Sequence, residues 1–280
     1  MKQKKLLLSL ALALMSMAGH AADNLPDLHV EGKNLVDSEG KTVVLHGVMD
    51  TPNRYFNGWR WQQWKENYSE VDIPPCLAYF SKLFSAITDK DQGAYCTVFR
   101  LHMDPCWTND PDKKSEGEAD VSAFNTARYR TYLQKLYIPL IKDAIGHGLY
   151  VIVRPPGVCP QDVNVGDKYN RYLKAVWKIF AADEYIQQNS GLISIELANE
   201  PVRVHMSDGT DSNKALHDFF QPVLDVIREQ GFKGIVWVPG TGYQSNYQDY
   251  VVNPITDREN NFSYAVHVYS GWYGNMTDSN

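Results

Sequence analysis

Gly148-Leu149-Tyr150-Val151-Ile152-Val153-Arg154-Pro155-Pro156-Gly157 carries the fold signal of the whole chain in one stretch. A glycine suited to a left-handed helix C-cap precedes an apolar, β-branched strand, and the strand ends in a charge and a proline turn. The same joint recurs at Gly93-Ala94-Tyr95-Cys96-Thr97-Val98 and at Gly191-Leu192-Ile193-Ser194-Ile195, with a looser copy from Gly231 to Val238. Amphipathic helices fill the intervals. Leu77, Phe80, Leu83, Phe84 and Ile87 form one apolar stripe, opened by Pro74-Pro75. Tyr169, Tyr172, Leu173, Val176, Trp177 and Phe180 form a second. Leu216, Phe219, Phe220, Val223, Leu224 and Ile227 form a third behind a Ser212 cap. Pro139 and Pro222 fall inside helical patterns and predict kinks or late starts.

Strands are predicted near residues 43–48, 95–101, 149–153, 192–199, 234–238 and 262–268. Continuous apolar strands alternating with helices imply a parallel sheet covered on its outer face. A doubly wound sheet would want G-x-G-x-x-G after its first strand, and Gly47-Val48-Met49-Asp50-Thr51-Pro52 does not supply it. Hairpin-type turns at Val30-Glu31-Gly32-Lys33 and Asp37-Ser38-Glu39-Gly40-Lys41 suit a small β cover at the bottom of a barrel. The expected fold is α/β: a TIM (β/α)8 barrel of which the chain supplies about the first six βα units, with an N-terminal β-hairpin cover.

Of the 280 residues, 44% are hydrophobic and 21% charged, enough apolar material for one large core and too little charge for a disordered chain. A net charge of −6 without a basic cluster past the N-terminus argues against nucleic acid or anionic membrane as partner. Residues 1–21 read as a secretory signal peptide: Lys2, Lys4 and Lys5, then an apolar run, then Gly19-His20-Ala21. The mature chain, residues 22–280, is then a soluble monomer, secreted or periplasmic. Of its four cysteines, Cys106 and Cys159 each follow a strand and are the expected bridge, with buried free thiols as the alternative. No metal or other cofactor is expected, since no Cys/His cluster, H-E-x-x-H or G-x-S-x-G occurs.

In a barrel, chemistry belongs at the C-terminal ends of the strands. Polar residues collect there in Phe99-Arg100-Leu101-His102-Met103-Asp104, in Arg154-Pro155-Pro156-Gly157, in Glu196-Leu197-Ala198-Asn199-Glu200-Pro201 and in His267-Val268-Tyr269. Glu200, walled by apolar neighbours, would have the raised pKa of an acid that protonates a departing glycosidic oxygen. Asn199 could bond a sugar hydroxyl beside it. Helix capping by Glu200 and an ordinary strand-end ion pair at Arg100 are the plainer alternatives. Trp59, Trp61, Trp64, Trp107, Trp272 and Tyr273 lie in predicted loops, where flat rings can stack on pyranose faces or simply pack locally. Trp107 and Trp272, which follow active-site strands, are the candidate substrate-binding residues.

On Leu45-His46-Gly47-Val48, Phe99-Arg100-Leu101, the Glu196–Pro201 stretch and His267-Val268-Tyr269, the chain resembles glycoside hydrolase family 5 (clan A), especially its secreted bacterial endo-β-1,4-glucanases, the cellulases. The resemblance covers almost all of the mature chain. It implies a β-glucan substrate and a retaining double displacement with Glu200 as acid/base. It also implies that Asn199 binds the sugar 2-hydroxyl, that Arg100 orients the nucleophilic carboxylate, and that His267 and Tyr269 line the cleavage subsite. One departure is Arg154, where the family usually shows a histidine.

The family's nucleophile is a glutamate ending the seventh strand, and the last predicted strand here is the sixth. Residues 269–280 hold Asp278 but no glutamate, Glu259 precedes the sixth strand, and Asp50 and Asp104 follow early ones. A C-terminally truncated barrel, poorly active alone, is therefore expected. A same-clan mannanase or xylanase, or a carbohydrate-binding protein that has lost its nucleophile, are the other readings.

Overall fold

A computed structural model describes residues 25–53 and 67–269. The leader, Trp59, Trp61, Trp64, Trp272 and Tyr273 lie outside the described residues. Strands β1 (Leu28–Glu31) and β2 (Asn34–Asp37) form an antiparallel hairpin. After it come β3 (Gly47–Asp50), α1 (Ile73–Ile87), β4 (Val98–His102), α2 (Pro105–Thr108), α3 (Thr126–Tyr132), α4 (Ile138–Gly146) and β5 (Tyr150–Arg154). The chain continues through β6 (Asp162–Asn164), α5 (Lys168–Ala181), α6 (Glu184–Gln188), β7 (Ile193–Glu196), β8 (Arg203–His205), α7 (Ala215–Glu229), β9 (Val236–Pro239), α8 (Gln248–Val252) and β10 (Phe262–Ala265).

Six of these strands form one parallel sheet in the order β3-β4-β5-β7-β9-β10. That order follows the chain without reversal. A doubly wound sheet reverses at a switch point, so this is a partial (β/α) barrel. Alternation along the strands sorts the side chains. Phe99, Leu101, Val151, Val153, Ile193 and Ile195 pack outward into the large core shared with the helices. Val98, Tyr150, Ile152 and Trp237 join a second cluster with Leu28 and Leu35 of the hairpin, which seals the barrel floor as the turn signals predict. Above that floor the same alternation turns Arg100, His102, Arg154 and Glu196 inward.

Two helices carry much of the outer layer. Asp167 caps α5, and Trp177 and Phe180 on its inner face are fully buried. Phe219, Phe220 and Leu224 of α7 are buried as well, and Asn170 Nδ2 ties the pair by donating to the Phe219 carbonyl at 2.8 Å. α7 runs unbroken through Pro222. Pro139 acts differently. A π-turn at Leu133–Tyr137 separates α3 from α4, which restarts with Pro139 in its first turn because proline lacks the N–H an α-ladder needs.

Several expectations shift. The first barrel strand begins at Gly47 because Thr42 pairs with Val36 and Val43 donates to the Leu35 carbonyl, so residues 42–43 belong to the cover. Gly93, Gly148 and Gly231 adopt left-handed φ of 80° to 95°, whereas Gly191 is required by the Asp27 side chain packed where a Cβ would sit. Helix α7 starts at Ala215 with Lys214 as N-cap, displacing Ser212 from the predicted role. Strands β6 and β8, three residues each, escape a pattern search but pair beyond the ends of β5 and β7. All four cysteines are free, so the expected Cys106–Cys159 bridge is corrected to two thiols.

Among the described residues β3 and β10 are open sheet edges, with Val48, Met49 and Tyr264 exposed. The approach to β10 is held by Arg228, whose guanidinium forks onto Asp257 at 2.8 Å on both oxygens and also donates to the Phe232, Gly234 and Asn261 carbonyls. Both partners are essentially inaccessible. Arg228→Leu would strand a buried carboxylate, and urea unfolding is expected to show a loss of about 3–5 kcal/mol. A loss below about 1 kcal/mol, as for a surface pair, would contradict this.

Candidate active site

Glu196 is the last residue of β7 and is buried inside the barrel. Arg100 reaches it from β4 across β5, donating Nε to Oε2 at 2.6 Å and Nη2 to Oε1 at 2.7 Å. Nη2 also donates to Asn199 Oδ1 at 3.0 Å. This fork is the geometry in which guanidinium holds carboxylate best. Burial by itself raises the Glu196 pKa, but the Arg100 charge, the His267 contact and Arg154 outweigh it and bring it to about 2. The carboxylate is permanently ionised at neutral pH.

Glu200 lies four residues on, past the strand end. Its backbone has φ 55°, a left-handed conformation uncommon outside glycine and held here directly before Pro201. Its Oε1 accepts from His267 Nδ1 at 2.8 Å and from Tyr269 OH at 2.8 Å, both from the segment after β10. His267 also faces Glu196, with Nε2 3.7 Å from Oε1. One imidazole thus stands between two carboxylates. Burial lowers the His267 pKa, and its contacts with Glu196 and Glu200 more than compensate, leaving it above the usual histidine value. The apolar wall expected around Glu200 is replaced by a phenol and an imidazole.

Arg154 ends β5 and is buried. Its Nη2 lies 2.5 Å from His102 Nδ1 on β4, and burial and the Arg100 charge lower its pKa to about 10. Burial first, then the Arg154 charge, push His102 far below its usual range, so this imidazole is neutral and accepts at Nδ1. A cavity of about 720 Å³ opens after β4, lined among others by Asn53, Asp104, Asn109 and Glu118. Burial and the nearby Asp104 carboxylate raise the Glu118 pKa.

Five of the expected residues, Arg100, Asn199, Glu200, His267 and Tyr269, therefore meet at one end of the sheet. Trp107 does not join them. The short helix α2 turns it into the core, where it is fully buried, donates Nε1 to the Pro52 carbonyl at 2.7 Å and stacks on Tyr68. With no face exposed it cannot be a sugar platform. Trp272 lies outside the described residues. Two participants went unassigned in the sequence. Glu196 was signalled by an acid at the end of an apolar strand. Gln244 is fully buried, accepts at Oε1 from the Glu200 N–H at 2.7 Å and donates Nε2 toward Glu196 at 3.3 Å. Among the described residues no group of three His, Cys, Asp or Glu side chains could hold a metal ion, and no helix is long and apolar enough to cross a membrane.

The barrel thus presents a glutamate beyond its fourth strand that is hydrogen-bonded by His and Tyr from beyond its sixth. The family model for Cellulase (glycosyl hydrolase family 5) matches residues 85–280, and the chain belongs to that family. No curated protein sequence matches it. Among solved structures it is similar to a β-glucanase from Saccharophagus degradans (15% identity, TM-score 0.55, 88% of this chain and 62% of that one). It is also similar to a GH5 cellulase from an Icelandic hot spring isolate (20% identity, TM-score 0.55, 87% and 61%). A β-mannanase from Thermomonospora fusca, solved with mannohexaose, matches at 14% identity and TM-score 0.53, over 88% and 67%. The chain thus spans about 62% of the first of these structures.

The His267 environment has a signed pH consequence. The folded pKa lies above the unfolded value of about 6.5, so the native state binds this proton more tightly. The contribution is fully present below about pH 6.5 and is lost as pH rises through the folded value. The difference in urea-unfolding free energy between wild type and His267→Gln is expected to shrink across that window. A difference that stays constant or grows with pH would rule the arrangement out.

Proposed function

We propose that this chain carries the acid/base carboxylate of a retaining glycoside hydrolase that cleaves β-1,4-glucan within the polymer. The observation that carries the reading is the Glu200 carboxylate at the barrel mouth, gripped on Oε1 by His267 and Tyr269. The other carboxylate oxygen makes no hydrogen bond to a described residue, so it can meet a leaving group. Asn199 Nδ2 is likewise unbonded while Oδ1 is held by Arg100, which orients its donor for a sugar hydroxyl.

In the first step a nucleophilic carboxylate attacks the anomeric carbon as Glu200 gives its proton to the departing glycosidic oxygen. In the second, ionised Glu200 takes a proton from the water that releases the glycosyl group. Retention requires a second carboxylate about 5–5.5 Å from the first. Glu196 is near, but Arg100 occupies both its oxygens and it is buried, which suits it to hold Arg100 rather than to attack. We therefore assign the nucleophile to a residue outside the described ones. Trp272 remains the candidate sugar platform, and residues 1–21 the export signal of a secreted or periplasmic enzyme.

The test uses the purified protein on defined β-1,4-linked cello-, manno- and xylo-oligosaccharides, with the product anomer followed by NMR. Cello-oligosaccharides are expected to be cleaved fastest, with the β-anomer appearing first, and Glu200→Gln to lower the rate by about 10²–10⁴. Preferential cleavage of manno-oligosaccharides, or an α-anomer first, would contradict the reading.

A further inference from the structure

Residues 242–244 make a turn of unusual hand. Gly242, Tyr243 and Gln244 all have positive φ, at 59°, 59° and 61°, and for the last two that conformation is disfavoured by the side chain itself. Such a segment persists only where its surroundings over-determine it. Three of its hydrogen-bonding groups go to the Glu200 loop. Gly242 N donates to the Val202 carbonyl and Tyr243 N to the Pro201 carbonyl, each at 3.0 Å. The Gln244 side chain then captures the Glu200 N–H itself at 2.7 Å. Two strained segments brace each other, one of them carrying the acid/base glutamate.

Gln244 also reaches the other side of the site. Its Nε2 donates to Glu196 Oε1 at 3.3 Å and to the Ala265 carbonyl at 3.0 Å, and its own carbonyl accepts from His267 N at 3.0 Å. The buried side-chain amide thus touches the main chain of Glu200, the side chain of Glu196 and the end of β10, while the backbone carbonyl of the same residue holds the main chain of His267. Only a neutral side chain with an acceptor and a two-proton donor satisfies all of these partners.

We propose that Gln244 is a positioning residue for Glu200, setting the direction from which its carboxyl delivers a proton to the departing oxygen. The proposal rests on the acid/base reading of Glu200 and adds a residue that acts only through it. A misplaced acid matters when the leaving group needs a proton, and matters little when it leaves readily as an anion.

The experiment compares wild type, Gln244→Leu, Gln244→Glu and Glu200→Gln in the purified protein. Each is assayed on cellotetraose, whose leaving group needs the proton, and on dinitrophenyl β-cellobioside, whose leaving group does not. Gln244→Leu is expected to lower kcat on cellotetraose about 10–100-fold, with KM little changed and the aryl glycoside nearly unaffected. Gln244→Glu keeps the acceptor for the Glu200 N–H and regains a donor only when protonated. Its rate on cellotetraose is therefore expected to recover as pH falls, moving the optimum to lower pH. Equal losses on both substrates, or no loss, would overturn the proposal, as would an unshifted profile for Gln244→Glu. Should Gln244→Leu fail to fold, the profile of Gln244→Glu decides alone. Cellotetraose hydrolysis that survives Glu200→Gln would sink the acid/base reading itself, a distinct result from failure at Gln244.

Discussion

The interior of this barrel depends on one ion pair. Arg100 and Glu196 face each other across β5, and the sheet register makes that possible. Arg100 aligns with Ile152, and Ile152 with Ser194, so Glu196 two residues on shares the inward face. A buried charge without a partner is costly enough to reshape a fold, whereas a forked pair can persist. Once that fork is set, Asn199, His267 and Gln244 gather on its remaining lone pairs and protons. Arg154, with His102 beside it, adds a second buried cation at the third strand end.

The pair divides the labour between the two glutamates. Glu196 is buried, doubly bonded and ionised, a structural anion. Glu200 sits on a strained backbone at the rim with one oxygen held and the other open. Burial, partners and backbone conformation separate them, although only three residues intervene. His267 couples the two, because each ring nitrogen faces one carboxylate and a change of charge at either is felt at the other.

Much of this was legible in the sequence. Helix–glycine–strand joints identify a barrel because each requires a helix end, a left-handed residue and a buried strand in fixed succession, and the hairpin turns identify its floor. Arg100, Asn199, Glu200, His267 and Tyr269 were legible because polar residues at the ends of apolar strands have few reasons to be there. Gln244 was not, since it lies in a loop and its importance comes from a left-handed turn that no local pattern announces. Trp107 misled because an indole shortly after a strand resembles a platform, and only the turn of α2 sends it inward. The cysteines misled for a related reason: following a strand does not bring two thiols to bonding geometry. Short strands such as β6 and β8 are invisible because three residues carry no period.

The central claim, that a buried Arg100–Glu196 fork organises the site, is tested most directly by titrating the glutamate carboxyls by ¹³C NMR, with Glu196→Gln identifying the resonance. The account expects Glu196 to remain ionised down to about pH 2. A Glu196 carboxyl that titrates near the unperturbed value of about 4.3 would mean the fork does not exist in solution, and the site would need another organiser.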